Sequence, residues 1–192
     1  MRLLAWLLLG SWLWAQDYKV VTGGAPPQQL AAEARRLLDS RGVKVVDPSG
    51  FVFCEVWLRT EPVAEGASLS EALRAGSVPA GALIGAVRYA SPGADRQGRG
   101  FGPGLYTLRQ ASGDAVLMVK AQDDPGPEAA PVEALEESSR KVTRTDAPAL
   151  LRLSPGAAGS SPRLRITREG EWILQVAASG APVSLLIVGV AK

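Results

Sequence analysis

The sequence has no histidine and only one cysteine among its 192 residues. Without an imidazole, Ser-His-Asp catalysis, Cys-His catalysis and histidine-ligated zinc sites are excluded. The single thiol rules out an intramolecular disulfide. The net charge is only +2, so no strong field attracts nucleic acid. We therefore predict no metal, no cofactor and no nucleic-acid partner.

Long hydrophobic runs are also lacking, apart from a short one at the start of the chain. Leu3 to Trp14 follow the charged Met1-Arg2 pair, and Ala15 provides a small residue for cleavage before Gln16. A membrane-spanning helix needs about 20 apolar residues, more than this run supplies. An uncleaved anchor and a buried core helix are the alternatives, but the run has no polar stripe typical of a core helix. We predict a signal peptide over residues 1–15, one domain over 16–192, and a periplasmic or secreted protein without a stable membrane span.

Short strands separated by turn residues dominate the rest of the chain. Hydrophobic residues make up 46% and charged residues 21%, as in globular proteins, and 21 glycines and 14 prolines indicate many loops. The turn Asp47 to Gly50 joins two strands of a predicted hairpin. These features favour a mainly β fold, an antiparallel β-sandwich or jelly-roll-like domain. The predicted strands are 43–46, 51–58, 83–89, 104–110, 115–120, 150–153, 163–168, 172–177 and 183–190.

Helices are predicted in three places. An amphipathic N-terminal helix over Pro26 to Ser40 is indicated by one apolar stripe, formed by Leu30, Ala34, Leu37 and Leu38. Ser68 to Gly76 is predicted as a short helix, because Ser68 and Glu71 have the spacing of a capping box. Glu133 to Lys141 is the third helical stretch.

Cys54 lies in the apolar run Phe51 to Leu58. Strand alternation places it on one face with Val52, Val56 and Leu58, so we predict a buried and unreactive thiol. A nucleophilic or redox role is the alternative, but no cationic neighbour supports it. For Glu55 in the same run we predict a surface position, with a catalytic acid of raised pKa as the alternative.

The loop Ala94 to Gly102 is the predicted ligand site. Its glycines allow a ligand to approach the backbone closely, and Asp95, Arg96 and Arg99 are the densest charged group beside aromatic residues. Tyr106, just beyond the loop, is included as a ligand-stacking residue. The alternatives are a solvated hairpin loop and a Tyr106 hydroxyl that bonds neighbouring backbone. The acidic stretch Asp123 to Glu128 is predicted to be a polar loop, because it offers too few oxygens for calcium.

Several segments resemble an uncharacterised family of exported bacterial proteins. The resemblance rests on the Pro79-Ala80-Gly81 strand, the Asp95-Arg96-Gln97-Gly98-Arg99 loop and the Pro103 to Arg109 strand, in this order. It runs from Phe51 to Leu153 and implies the fold and export, but no activity. The family often carries a His-Met-Gly segment after the last of these strands, where this chain has Gln110 to Asp114.

These observations favour an exported, non-catalytic protein with a binding or scaffolding role at the cell envelope. Its partner would be an envelope protein or a small ligand. The alternative is a hydrolase or lyase that uses carboxylates and arginines outside the cytoplasm. No catalytic residue is assigned.

Overall fold

The computed structural model describes residues 18–63, 66–156, 162–178 and 180–190. The predicted signal peptide and its cleavage site lie outside these residues. None of the helices in these ranges is long and apolar enough to cross a membrane.

The described chain is mainly β, as predicted. Ten strands form one antiparallel sheet in the order β1-β2-β3-β4-β7-β8-β9-β12-β11-β10, and β5 and β6 pair separately. The strands are β1 Lys19–Thr22, β2 Val43–Val46, β3 Val52–Leu58, β4 Leu83–Tyr89, β5 Gly93–Ala94, β6 Gly100–Phe101, β7 Gly104–Gln110, β8 Ala115–Lys120, β9 Leu150–Pro155, β10 Arg163–Ile166, β11 Trp172–Ala178 and β12 Ala181–Val188.

The large sheet curls into a nearly closed cylinder. Its two edge strands, β1 and β10, approach each other but are not paired by hydrogen bonds. The predicted sandwich or jelly roll would divide the strands between two facing sheets, whereas here one continuous ladder joins all ten. The difference arises because most strands pair with their neighbours in sequence, so that the sheet grows in one direction and its twist brings the ends together.

Three α-helices accompany the sheet: α1 Ala32–Leu37, α2 Leu69–Ala75 and α3 Val132–Thr143. The capping box predicted for α2 is present, and Gly76 ends the helix in the left-handed conformation at φ 65°. Helix α1 is much shorter than the predicted span of residues 26–40. Leu30 closes a turn onto Pro27, and Leu38 already pairs with Arg59 as an isolated β-bridge.

Side chains from all around the sheet fill the interior of the cylinder, and Cys54 is one of them. Its exposure is 0%, which confirms the predicted burial, and Val56 and Leu58 lie in the same apolar cluster. Burial raises the pKa of the thiol far above its ordinary value. The thiolate needed for nucleophilic or redox chemistry is therefore suppressed.

The outer face of β3 is covered as well, which corrects the surface position predicted for Glu55. Its side chain is only 1% exposed and accepts hydrogen bonds from Gly24 N at 2.7 Å and from Arg88 Nη2 at 2.6 Å. Trp57, on the same face, donates from Nε1 to Gly24 O at 2.9 Å. The segment that leads into α1 thus lies across the sheet and buries a face that alternation alone predicts to be solvated.

Candidate functional site

The predicted ligand loop is tied to the large sheet by backbone hydrogen bonds: Arg96 N donates to Leu150 O at 2.7 Å, and Gly189 N donates to Ala94 O at 2.9 Å. It contains the small β5–β6 hairpin, whose Phe101 packs against Tyr89 at 4.8 Å and Tyr106 at 5.7 Å between ring centroids. Gly93 is required here, because a Cβ at that position would lie 2.5 Å from the Phe101 ring. The loop is therefore a hairpin, and it is packed into the core as well as exposed to solvent.

Asp95 and Arg99 are brought together inside this loop. The Asp95 side chain is fully buried and accepts hydrogen bonds from Gln97 N, Arg99 N and Arg99 Nε, each at 2.9 Å. The Arg99 guanidinium also donates to the Pro148 carbonyl. Because Asp95 and Arg99 bond to each other and to backbone groups of the protein, they fix the conformation of the loop and attach it to the segment before β9.

Arg96 and Tyr106 lie apart from that pair. The Arg96 guanidinium forms an exposed ion pair of 3.6 Å with Asp114, while its backbone N–H donates to Leu150 O at 2.7 Å. The Tyr106 ring is buried, and its hydroxyl donates to Gly102 O at 2.7 Å. Burial raises the pKa of Tyr106, so the hydroxyl remains protonated at neutral pH. The four predicted site residues therefore do not form one constellation.

A cleft of about 420 Å³ nevertheless lies beside the loop, and we call it the Tyr106 cleft. One wall is Tyr106 with the glycine-containing edge of the β5–β6 hairpin, and the other is the end of α3. Its lining residues are Pro92, Gly93, Gly100, Phe101, Gly102, Pro103, Tyr106, Lys120, Val142, Thr143 and Arg144.

The charge of the Tyr106 cleft is entirely positive. Lys120 comes from the end of β8, and Arg144 follows α3 in the left-handed conformation at φ 56°. No acidic residue lines the cleft. Within the described ranges, neither cation has a carboxylate within ion-pair distance. An anionic group in the cleft would meet two cations but no hydrogen bond from Tyr106, because that hydroxyl donates its proton to Gly102 O.

Sequence reasoning found the neighbourhood of this cleft but not its cations. Lys120 and Arg144 are separated by 24 positions and belong to a strand and a helix end, so only the packing of α3 on β8 brings them to one cleft. Neither residue stands in a motif. The only sequence feature that pointed to the site was weak: Lys120 is a charged residue at the end of an otherwise apolar strand.

A second buried polar centre was missed altogether. Arg109 is 0% exposed and donates to Asp124 Oδ2 at 2.9 Å and to Glu128 O at 2.8 Å. The same guanidinium reaches Gly81 O at 3.1 Å. The stretch Asp123 to Glu128 is a loop, as predicted, but its Asp124 side chain packs on the outer face of β7 through the ion pair with Arg109. We call residues 121–131 the β8–α3 strap.

Within the described ranges, four carboxylates with little solvent exposure each pair with an arginine. The pairs are Glu55 with Arg88, Asp95 with Arg99, Asp124 with Arg109 and Glu171 with Arg152. Each acid has a side chain no more than 10% exposed. Among the residues that the structure describes, no group of three or more His, Cys, Asp or Glu side chains is arranged to hold a metal ion. The acids thus fasten loops to the sheet and are not gathered in a cleft.

No protein-family model matches the chain, and neither the curated proteins nor the solved structures include a match.

Proposed function

We propose that this is an exported binding protein without catalytic activity, which holds an anionic group of its ligand in the Tyr106 cleft. The observation that carries the proposal is that Lys120 and Arg144 both line a cleft without acids, and that neither forms an ion pair within the described part of the chain. Lys120 is partly buried and Arg144 is exposed, so the cleft screens the charge of Lys120 from water more than that of Arg144. A charge that is less screened attracts an anion more strongly. Export rests on the predicted signal peptide.

The binding role is favoured over the carboxylate-based hydrolase or lyase by the state of the acids. A glycosidase-like mechanism needs two carboxyl groups facing each other across a substrate. Here Glu55, Asp95 and Asp124 are each occupied by an arginine and by backbone N–H groups. The oxygens of an acid held in this way are directed at protein partners and not at a substrate.

The ligand is expected to be small or to offer one small anionic group. A volume of about 420 Å³ accommodates a carboxylate, phosphate or sulfate group with a modest attached framework. The rings of Phe101 and Tyr106 lie beside the cations but are largely buried, so they offer a ligand only a small apolar area. A carboxylated or phosphorylated small molecule, or an acidic side chain of an envelope protein, has this chemistry.

The experiment is a titration of the isotope-labelled protein with inorganic phosphate, sulfate and citrate, followed by amide and side-chain NMR shifts. We expect saturable shifts confined to residues around Tyr106, Lys120 and Arg144. The double variant Lys120→Ala/Arg144→Ala should weaken binding at least tenfold, which corresponds to about 1.4 kcal/mol. The control Arg74→Ala, at an exposed position of α2 that does not line the cleft, should leave affinity unchanged.

Two results would overturn the proposal. One is the absence of saturable shifts at the cleft with all three anions. The other is an unchanged affinity in the double variant together with a lower melting temperature. That outcome would assign Arg144 only to the C-terminal end of α3, where a cation stabilises the helix dipole.

A further inference from the structure

The gap between β1 and β10 is a second feature of the fold, independent of the Tyr106 cleft. We call it the seam. Both of its strands are sheet edges, each four residues long, and each is paired on one side only. The two strands lie near each other without a hydrogen-bonded ladder between them. The cylinder is therefore interrupted at one place in the described chain.

The flanking hydrogen bonds show which backbone groups of β1 face the seam. Gly23 N donates to Gly42 O at 2.5 Å, and in an antiparallel ladder such bonds recur at every second residue. Val21 and Lys19 therefore direct their backbone groups to β2, whereas Val20 and Thr22 direct theirs into the seam.

The register of β10 gives the matching result. Thr167 N donates to Glu171 O at 2.9 Å, so Arg165 and Arg163 direct their backbone groups to β11. Leu164 and Ile166 direct theirs into the seam. Two rows of backbone donors and acceptors thus face each other, and in the part of the chain that the structure describes no ladder pairs them. Such unpaired edges are a template for an added strand.

The side chains of the two strands divide by face. Val20 and Leu164 pack against the interior cluster, so alternation places the residues on either side of them on the outer face. Those outer residues include Lys19, Arg163 and Arg165, all exposed. Within the described part of the chain none of the three has a carboxylate in ion-pair distance. The outer rim of the seam is basic, and its inner side is apolar.

An entry to the seam is already open at one end. A cleft of about 450 Å³ lies there, and Asp39 is the one acid among its lining residues. The lining consists of Val20, Val21, Thr22, Asp39, Arg41, Gly42, Val43, Pro162 and Ala177. An added strand requires its two neighbours to lie about 4.8 Å away on either side, so the seam must widen along its length. The edge strands are short and mostly exposed, so the buried surface lost on widening is confined to a few contacts. These are the packing of Val20 and Leu164 on the interior cluster and the contact between Tyr18 and Trp172, with ring centroids 4.5 Å apart.

We propose that the seam accepts an extended acidic segment of a partner protein as an eleventh strand between β1 and β10. The segment would alternate carboxylate and aliphatic residues, with carboxylates toward Lys19, Arg163 and Arg165 and aliphatic side chains toward Val20 and Leu164. Main-chain hydrogen bonds provide the affinity in this mode of recognition, and alternate side chains provide specificity. A second copy of this chain is a poorer occupant, because both edges carry positive charge and would repel.

The test uses the full chain without its signal segment and a fluorescein-labelled peptide of alternating glutamate and valine, followed by anisotropy. We expect saturable binding, with NMR shifts of the backbone amides of Val20, Thr22, Leu164 and Ile166. The variant Arg163→Glu/Arg165→Glu should lose at least tenfold in affinity. The control Arg36→Glu/Arg74→Glu, which has the same change in net charge at exposed helical sites, should bind as well as the unmodified protein.

Two further peptides separate strand addition from simple charge attraction. A peptide with lysine in place of glutamate and a peptide with N-methylated valines should both fail to bind. Equal binding by the N-methylated peptide would overturn the proposal, because a peptide without these N–H groups cannot form the hydrogen bonds of an added strand. The proposal would also fall if the acidic peptide did not bind and Arg163→Gln/Arg165→Gln caused self-association. The two arginines would then act only to keep this edge from pairing with other copies.

Discussion

The contribution of an ion pair to the stability of this protein depends on how deeply its side chains are buried. Arg109 and Arg96 are both arginines with one carboxylate partner, yet Arg109 is buried under the β8–α3 strap and Arg96 is open to water. An exposed pair contributes little, because solvent screens it and both side chains lose freedom. A buried pair behaves differently, because removing one partner leaves the other charge desolvated and alone.

From this contrast we predict unequal effects of two similar substitutions. Asp124→Ala should lower the free energy of unfolding by about 3–5 kcal/mol, because Arg109 would keep a buried charge without its carboxylate. Asp114→Ala, which breaks the exposed pair with Arg96, should cost less than about 1 kcal/mol. Urea unfolding of both variants measures the difference. Equal losses would mean that the strap opens to water and does not bury Arg109 in solution.

At the scale of elements, α2 provides a charge that responds to pH. The Ser68 hydroxyl and backbone N–H donate to the Glu71 carboxylate, and these bonds hold the pKa of Glu71 below its ordinary value of 4.5. A lowered folded-state pKa means that the ionised form stabilises the fold. That stabilisation is complete above the unfolded-state pKa and disappears as pH falls through the folded-state pKa.

We therefore predict that the stability difference between the protein and Glu71→Gln depends on pH in one direction. Glutamine preserves the shape of the capping box but removes the charge. The unmodified protein should be the more stable of the two at pH 7, and the difference should shrink steadily as pH falls below about 4.5. Denaturant unfolding at several pH values measures it. A difference that grows toward acid would contradict the sign of the shift.

The elements were largely predictable because their signals are local. Strands β4, β7 and β8 have the predicted bounds, since each is an apolar run enclosed by glycine-containing turns. The capping box of α2 lies within four residues. The predicted length of helix α1 was too great, because the apolar residues from Leu30 to Leu38 do not all belong to a helix. Leu30 lies in a turn, the middle of the stretch forms a short helix, and Leu38 forms a β-bridge. The spacing of apolar residues predicts which residues are buried, and it predicts their secondary structure only indirectly.

The covered outer faces were less predictable, although one signal was present. In the run Phe51 to Leu58, both alternating faces are apolar apart from Glu55, and a strand with two apolar faces is typical of a sheet covered on both sides. The cations of the Tyr106 cleft had no comparable signal, because Lys120 and Arg144 meet only through packing. The proposed site therefore depends on contacts between distant segments, which single-sequence patterns do not encode.

At the scale of the whole molecule, the nearly closed sheet implies a gradient of stability from its middle to the seam. Strands β4 and β7 are paired on both sides and consist mostly of buried residues, whereas β1 and β10 are mostly exposed. Local opening requires little energy where few buried contacts are lost. The register of the edges adds a finer pattern, because alternate residues direct their amides either to a neighbouring strand or into the seam.

Amide hydrogen exchange followed by NMR should reveal both the gradient and the alternation. We predict slow exchange for Val87 and Leu108 in the central strands, close to the limit set by global unfolding. At the edges, the seam-facing amides of Val20 and Leu164 should exchange faster than those of Val21 and Arg165, which donate to β2 and β11. Uniform protection across the seam would mean that β1 and β10 complete the ladder in solution, because only a hydrogen bond to the opposite strand would slow the exchange of Val20 and Leu164.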